Sequence, residues 1–216
     1  MEIQLSNINF VFVGMPSSGK STIARLFSSM LNKKILECDQ YYDQILNTPE
    51  SDIAIEYYRL RFPDQKDGHF KKCSGSEDFI KEYGETLFRD YEEFLNIDIL
   101  TKEETSDLIL DLPGKIFMRE NYRHKLKELG YISIFLNIDK DVLIDRLSYE
   151  NSWAKRSIYK IAEENGYGWK NLFNDDYNIR FDTYNKADIV YTINNNEAPE
   201  KTVENLIDYI KTHLKK

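Results

Sequence analysis

Residues 10–22 read Phe10-Val11-Phe12-Val13-Gly14-Met15-Pro16-Ser17-Ser18-Gly19-Lys20-Ser21-Thr22. A short β-rich apolar run ends at a glycine, and after four intervening residues come Gly19, Lys20 and Ser21. The spacing G-x-x-x-x-G-K-S is that of a phosphate-binding loop. Such a loop needs successive backbone N–H groups turned inward on phosphate oxygens, and glycines allow the close approach. The helix that follows adds free N–H groups and the positive end of its dipole. On this reading Gly14, Pro16, Ser17, Ser18, Gly19, Lys20, Ser21 and Thr22 hold the phosphates of a nucleotide. Lys20 bridges the terminal phosphates, and the Ser21 hydroxyl takes one position on Mg²⁺, which keeps most of its own waters. The context agrees with the motif: residues 8–13 read as a buried strand. Residues 21–31 read as a helix with Ile23, Leu26, Phe27, Met30 and Leu31 on one face.

Outward from this loop, apolar runs alternate with helical patterns. Further strands are expected at 34–38, 108–110, 131–138 and 189–193. Helices are expected at 118–129, from 142 to 147, and at 199–214. Gly130 closes the first of these, and Pro199 suits the first turn of the last. In that last helix Val203, Leu206, Ile207, Ile210 and Leu214 form the inner stripe. The alternation implies an α/β fold, a five-stranded parallel sheet with helices on both faces, of the P-loop NTPase, nucleoside-kinase-like kind. No linker separates two domains, so residues 1–216 are expected to form one.

Two regions depart from the alternation. Residues 41–100 contain no clear strand. They hold an amphipathic helix with Phe79, Ile80, Tyr83, Leu87, Phe88, Tyr91 and Phe94 at helical spacing, Ser74 and Glu77 as a capping box, and a loop over 63–75. Residues 149–174 are polar and aromatic with Gly166 and Gly168, the kind of place where a lid is found.

The 216 residues are 41% apolar and 31% charged, with a formal net charge of -8. Lys and Arg are scattered apart from Lys215-Lys216, which argues against nucleic acid as a partner, since that affinity comes largely from phosphate neutralisation. Cys38 and Cys73 lack metal-ligand spacing and read as reduced thiols. No apolar stretch is long enough to span a bilayer, and no leader pattern opens the chain. A cytoplasmic protein is expected, a monomer or weak dimer, with no membrane partner.

Two motifs raise a guanine-nucleotide reading. Asp111-Leu112-Pro113-Gly114 matches D-x-x-G after a strand, and Asn185-Lys186-Ala187-Asp188 matches N-K-x-D. The second precedes its strand, however, whereas ligands bind beyond the carboxyl ends of strands. A helix end entering a strand is the simpler account. Asp111 keeps its interest as a carboxylate ending a buried strand, placed to order Mg²⁺.

A more selective pattern is Gly84-Glu85-x-x-Phe88-Arg89-x-x-Glu92, in which Glu85, Arg89 and Glu92 share one helix flank. With the phosphate loop, this pattern resembles the shikimate kinase family. Glu37-Cys38-Asp39 looks like that family's D-x-D, and Arg180, Tyr184 and Ala187-Asp188 like its R-x-x-x-Y…A-D segment. Residues 152–159, with Arg156, resemble its lid, and Asp145-Arg146-Leu147 the segment before it. The resemblance runs from about residue 8 to 212. It implies an ATP-dependent kinase acting on a small hydroxy acid, shikimate first. Asp39 would orient the acceptor hydroxyl as candidate base. Arg89 and Arg180, with the Gly114 backbone, would hold the acceptor carboxylate. Arg156 would close over the ATP phosphates, and Arg146 with the Asn194-Asn195-Asn196 turn would flank the adenine.

There are departures from the family pattern. Leu112-Pro113 stands where the family has two of three glycines, and Pro113 has no N–H to offer. The segment between Asp39 and Gly84 is longer than usual, and Arg156-Ser157-Ile158-Tyr159 replaces R-P-L-L. A kinase with another small acceptor, a GTP-binding switch and a non-catalytic nucleotide-binding module therefore stand as alternatives.

Overall fold

The computed structural model describes residues 4–65, 67–101 and 107–214, so the terminal Lys215-Lys216 pair lies outside the described residues. The chain divides into two compact units: Met1–Leu36 with Ser106–Lys216, and Glu37–Thr105.

The first unit is built on a five-stranded parallel sheet. The strands are β1 (Phe10–Gly14), β2 (Lys34–Glu37), β3 (Leu108–Asp111), β4 (Ile132–Asn137) and β5 (Ile189–Thr192), in the spatial order β2-β3-β1-β4-β5. All five expected strands are present, their ends shifted by one or two residues. Every residue of the central strand β1 is buried, as a parallel strand covered on both faces requires. Its register places Phe12 beside Asp111 and Gly14 beside Leu136. Two chemistry-bearing stretches, the residues after β1 and the end of β3, are thereby brought to the same edge.

Helix α1 (Lys20–Leu31) follows β1 and lays Phe27 edge-on against Phe10 and Phe12, with centroids 5.2 Å apart in both pairs. Its buried face is Ile23, Ala24, Phe27 and Ser28. Met30, expected on that face, is 43% exposed. The buried stripe turns toward the small residues because α1 packs against another helix as well as the sheet. That helix is α10 (Pro199–His213), which buries Thr202, Val203, Leu206 and Ile210. The expected helix at 118–129 begins later: Ile116–Met118 form a 3-10 turn, and α6 spans Glu120–Glu128. Gly130, at φ 74°, reverses the chain after it.

The second unit is helical: α2 (Cys38–Leu46), α3 (Asp52–Arg61), α4 (Ser76–Tyr83) and α5 (Glu85–Thr101). The single amphipathic helix expected across 79–94 is two helices. Gly84, at φ 89°, stops α4 and lets α5 start anew at Glu85. The Ser74 hydroxyl donates to Asp78 rather than pairing with Glu77. The non-helical stretch before α4 contributes to the core, since Phe70 and Cys73 are buried. Tyr57 stacks on Tyr91 at 4.4 Å, and Phe70 packs within 5.5 Å of Phe79, Tyr83 and Tyr91.

Candidate active site

The loop after β1 has the backbone a phosphate cradle needs. Ser17 and Gly19 lie in the left-handed region, at φ 63° and 78°. Between them the Ser18 N–H donates to the Met15 carbonyl at 3.1 Å. Ser18 is buried and its hydroxyl meets no partner. A Cβ at Gly14 would come within 2.7 Å of that hydroxyl oxygen, so the chain closes on itself there. The helix begins at Lys20 directly after Gly19, so its first N–H groups lie at the loop. A buried unpaired hydroxyl and unpaired helix amides are groups that phosphate oxygens would satisfy, and the loop therefore fits a nucleoside triphosphate.

Lys20 and Asp111 meet as an ion pair, each arriving from the carboxyl end of a neighbouring strand. Leu112 continues the β1–β3 pairing by donating its N–H to the Phe12 carbonyl at 3.2 Å. Arg146 reaches the loop from α7 (Lys140–Ser148). Its guanidinium donates to the Ser17 carbonyl at 3.1 Å and to Asn195 Oδ1 at 3.3 Å. Arg146, Asn195 and the phosphate loop are thus joined.

Beyond α7, a 3-10 stretch over Tyr149–Lys155 leads into α8 (Ser157–Glu164) and α9 (Trp169–Tyr184). Trp153 and Trp169 stack at 5.8 Å and tie the stretch to α9. Arg156 sits exposed at the start of α8, and its side chain makes no hydrogen bond or ion pair with a described residue. On α9, Arg180 is buried and pairs with Asp176 one turn earlier. A Cβ at Gly114 would collide with the Arg180 Nη1 atom, and the Tyr184 hydroxyl donates to the Gly114 carbonyl. Gly114 and Arg180 are therefore in direct contact. Asp176 joins this group through the fold, its four-residue spacing from Arg180 on one helix being the sequence signal for the pair.

In the second unit, Arg89 is held from two sides. Its Nε and Nη2 donate to Glu85 at 3.2 Å, and its Nη1 donates to the buried Glu92 at 3.1 Å. Burial works against its charge, but the Glu92 and Glu85 carboxylates outweigh this and raise its pKa. The guanidinium also lies 5.1 Å from the centroid of the Phe88 ring. Asp39 is exposed in the first turn of α2.

The guanine reading of Asn185-Lys186-Ala187-Asp188 loses its footing. Asp188 accepts from the Ser133 N–H at 2.8 Å and from its hydroxyl at 2.6 Å. Both residues stand where β4 and β5 begin, at the edge of the sheet opposite the phosphate loop. The aspartate is a sheet-end clasp.

A parallel sheet with a phosphate loop after its central strand, a lysine in that loop and an aspartate ending the adjacent strand defines a P-loop phosphotransferase fold. A family model described as "Shikimate kinase" matches residues 56–211. The shikimate kinase of Brucella canis is 24% identical over 206 residues, covering 95% of this chain and 84% of that protein. That of Dictyoglomus turgidum is 27% identical over 199 residues, covering 89% and 92%. Among solved structures, the shikimate kinase from Acinetobacter baumannii in complex with shikimate superposes with a TM-score of 0.66 at 17% identity, covering 96% of both chains. The chain belongs to the shikimate kinase family. It is an ATP-dependent small-molecule kinase, a phosphotransferase acting on a hydroxyl group. Among the described residues, no helix is long and apolar enough to cross a membrane.

Proposed function

We propose that the protein transfers the γ-phosphate of ATP to a hydroxyl of a small hydroxy acid, with shikimate the first candidate, in the cytoplasm. The acceptor oxygen forms the new P–O bond while the bond from the γ-phosphorus to the β-phosphate bridging oxygen breaks and ADP leaves. The hydroxyl proton passes to a base, for which Asp39 is the candidate. Lys20 and the loop residues Gly14, Pro16, Ser17, Ser18, Gly19, Ser21 and Thr22 hold the phosphates, and Arg146 with Asn195 flanks the adenine. The Ser21 hydroxyl and Asp111 carboxylate are hard oxygen donors that suit Mg²⁺, which when bound would neutralise charge on the phosphates. Arg156 is the candidate to meet charge developing in the transition state. Arg89, Arg180 and the Gly114 backbone are proposed to bind the acceptor.

The observation that carries the acid acceptor is the Arg89 guanidinium, braced by Glu85 and Glu92 so that its planar fork has a set orientation. A second reading, a different small hydroxylated acceptor, is favoured by Leu112 and Pro113. Both are buried directly before Gly114, where Pro113 offers no N–H. A coupled ADP-release assay over a panel of hydroxy acids and nucleosides, with ATP and GTP in parallel, separates the two. Turnover of shikimate with ATP supports the first reading. Turnover confined to another acceptor overturns it, and preference for GTP overturns the donor assignment.

A further inference from the structure

Arg180 carries an unusual pairing for a residue proposed to grip a substrate. Its side chain is 8% exposed, and its Nη2 donates to Asp176 on the same helix. Its Nε is also buried and reaches no acceptor. A guanidinium presents donors in pairs, and a carboxylate in the plane of the fork can engage two side by side. Asp176 engages only one of them and leaves a buried donor unmatched, which is unfavourable. The other Asp176 oxygen lies 4.0 Å from Lys115 Nζ, on the residue after Gly114. Tyr159, buried with its hydroxyl unpartnered, faces the same group: burial pushes it up to about 12, and the Asp176 carboxylate adds to the rise.

We infer that Asp176 is a specificity-determining positioning residue, an internal carboxylate that occupies Arg180 and must be displaced by the carboxylate of the acceptor. This rests on the reading of the acceptor as a hydroxy acid. An incoming carboxylate that takes Nε and Nη2 together satisfies the donor that Asp176 leaves unmatched. Asp176 then turns toward Lys115, which already stands beside its second oxygen. The exchange moves no proton and breaks no covalent bond. It penalises acceptors lacking a carboxylate, because they can neither displace Asp176 nor fill the Nε position.

Steady-state kinetics of the full chain test this with ATP, shikimate and the uncharged methyl ester of shikimate. Asp176→Asn keeps a hydrogen-bond acceptor for Arg180 but removes the competing charge. Its KM for shikimate should fall ~10-fold, the size of one charge-assisted hydrogen bond, while KM for ATP and for the ester stays put. Asp176→Glu, which restores the carboxylate, should return KM for shikimate toward the wild-type value. An unchanged or higher KM for shikimate in folded Asp176→Asn overturns the inference. If Asp176→Asn does not fold, Asp176→Ser takes its place, and failure of both to fold makes the residue structural and overturns the inference. Absence of wild-type turnover with every hydroxy acid overturns the acceptor reading itself, before any variant is compared, and this inference with it. Wild-type turnover without a gain in the variant overturns the inference alone.

Discussion

Lys20 and Asp111 form an ion pair in which 12% of one side chain and 4% of the other is exposed. They are 91 positions apart and meet because β1 and β3 are parallel neighbours in register. A triphosphate would compete with Asp111 for the lysine. Lys20→Met should therefore lower turnover by roughly 10³-fold, the scale of losing a charge-stabilising group in phosphoryl transfer. It should also lower thermal stability, since Asp111 would be left buried without its partner. Circular dichroism reports the fold and ADP release the rate. Turnover within an order of magnitude of wild type would remove Lys20 from the phosphate site.

The Ser18 hydroxyl is buried without a partner, so Ser18→Ala should leave the nucleotide-free protein as stable or slightly more stable. If phosphate oxygens use that hydroxyl, the thermal shift produced by ATP should shrink in the variant. An equal shift in both proteins would mean that Ser18 shapes the loop without touching the nucleotide.

Arg89→Lys retains the charge but loses the fork that Glu85 and Glu92 brace. KM for the acid acceptor should rise on the order of tenfold, about the worth of one charged hydrogen bond, with KM for ATP little changed. A parallel change in both constants would make the Glu85–Arg89–Glu92 cluster a structural brace.

Gly84→Ala places a side chain at φ 89°, where the surroundings are open but the backbone is not one L-residues favour. The expected cost is about 1–3 kcal/mol, from conformation alone. A melting temperature equal to that of wild type would mean that α4 and α5 can rejoin through residue 84 without strain.

Burial raises Tyr57 and Tyr159 from 10.0 to about 12, and raises Tyr91 as well. For an acid whose folded pKa is raised, stability is intact below the unfolded value. It is lost as pH climbs from about 10 toward 12, because the unfolded chain releases its protons first. Phenolate absorbance and circular dichroism followed together should show some tyrosines titrating only as the fold is lost. Smooth titration of all tyrosines near pH 10 with the fold intact would contradict their burial.

Much of the fold was legible in the sequence because the controlling regularities are local. The five strands are apolar runs bounded by polar turns, and α10 has an apolar stripe behind a proline. Where the reading went astray, longer-range packing or a single backbone angle had intervened. The buried face of α1 shifted to Ala24 and Ser28 because α10 packs on it, which spacing within α1 cannot reveal. The helix across 79–94 broke in two because Gly84 takes a left-handed angle, whereas its apolar periodicity runs on unbroken.

For the site, the sequence by itself determined the Gly14-x-x-x-x-Gly19-Lys20-Ser21 spacing and the tight turn it makes after β1, since those residues shape the backbone through neighbours a few bonds away. It also determined that Glu85, Arg89 and Glu92 share a flank, since helix pitch does that. Only the tertiary structure decided that Lys20 meets Asp111, that Arg146 clasps Ser17 and Asn195, and that Asp188 closes the far end of the sheet on Ser133. These depend on strand order and register, which arise from burying all strands of one sheet together. Asp176 lies between the two cases. Its spacing from Arg180 is written in the chain, but a one-turn ion pair on an exposed helix face has little effect. It becomes consequential because the fold buries Arg180 against Gly114 and leaves one of its donors unmatched.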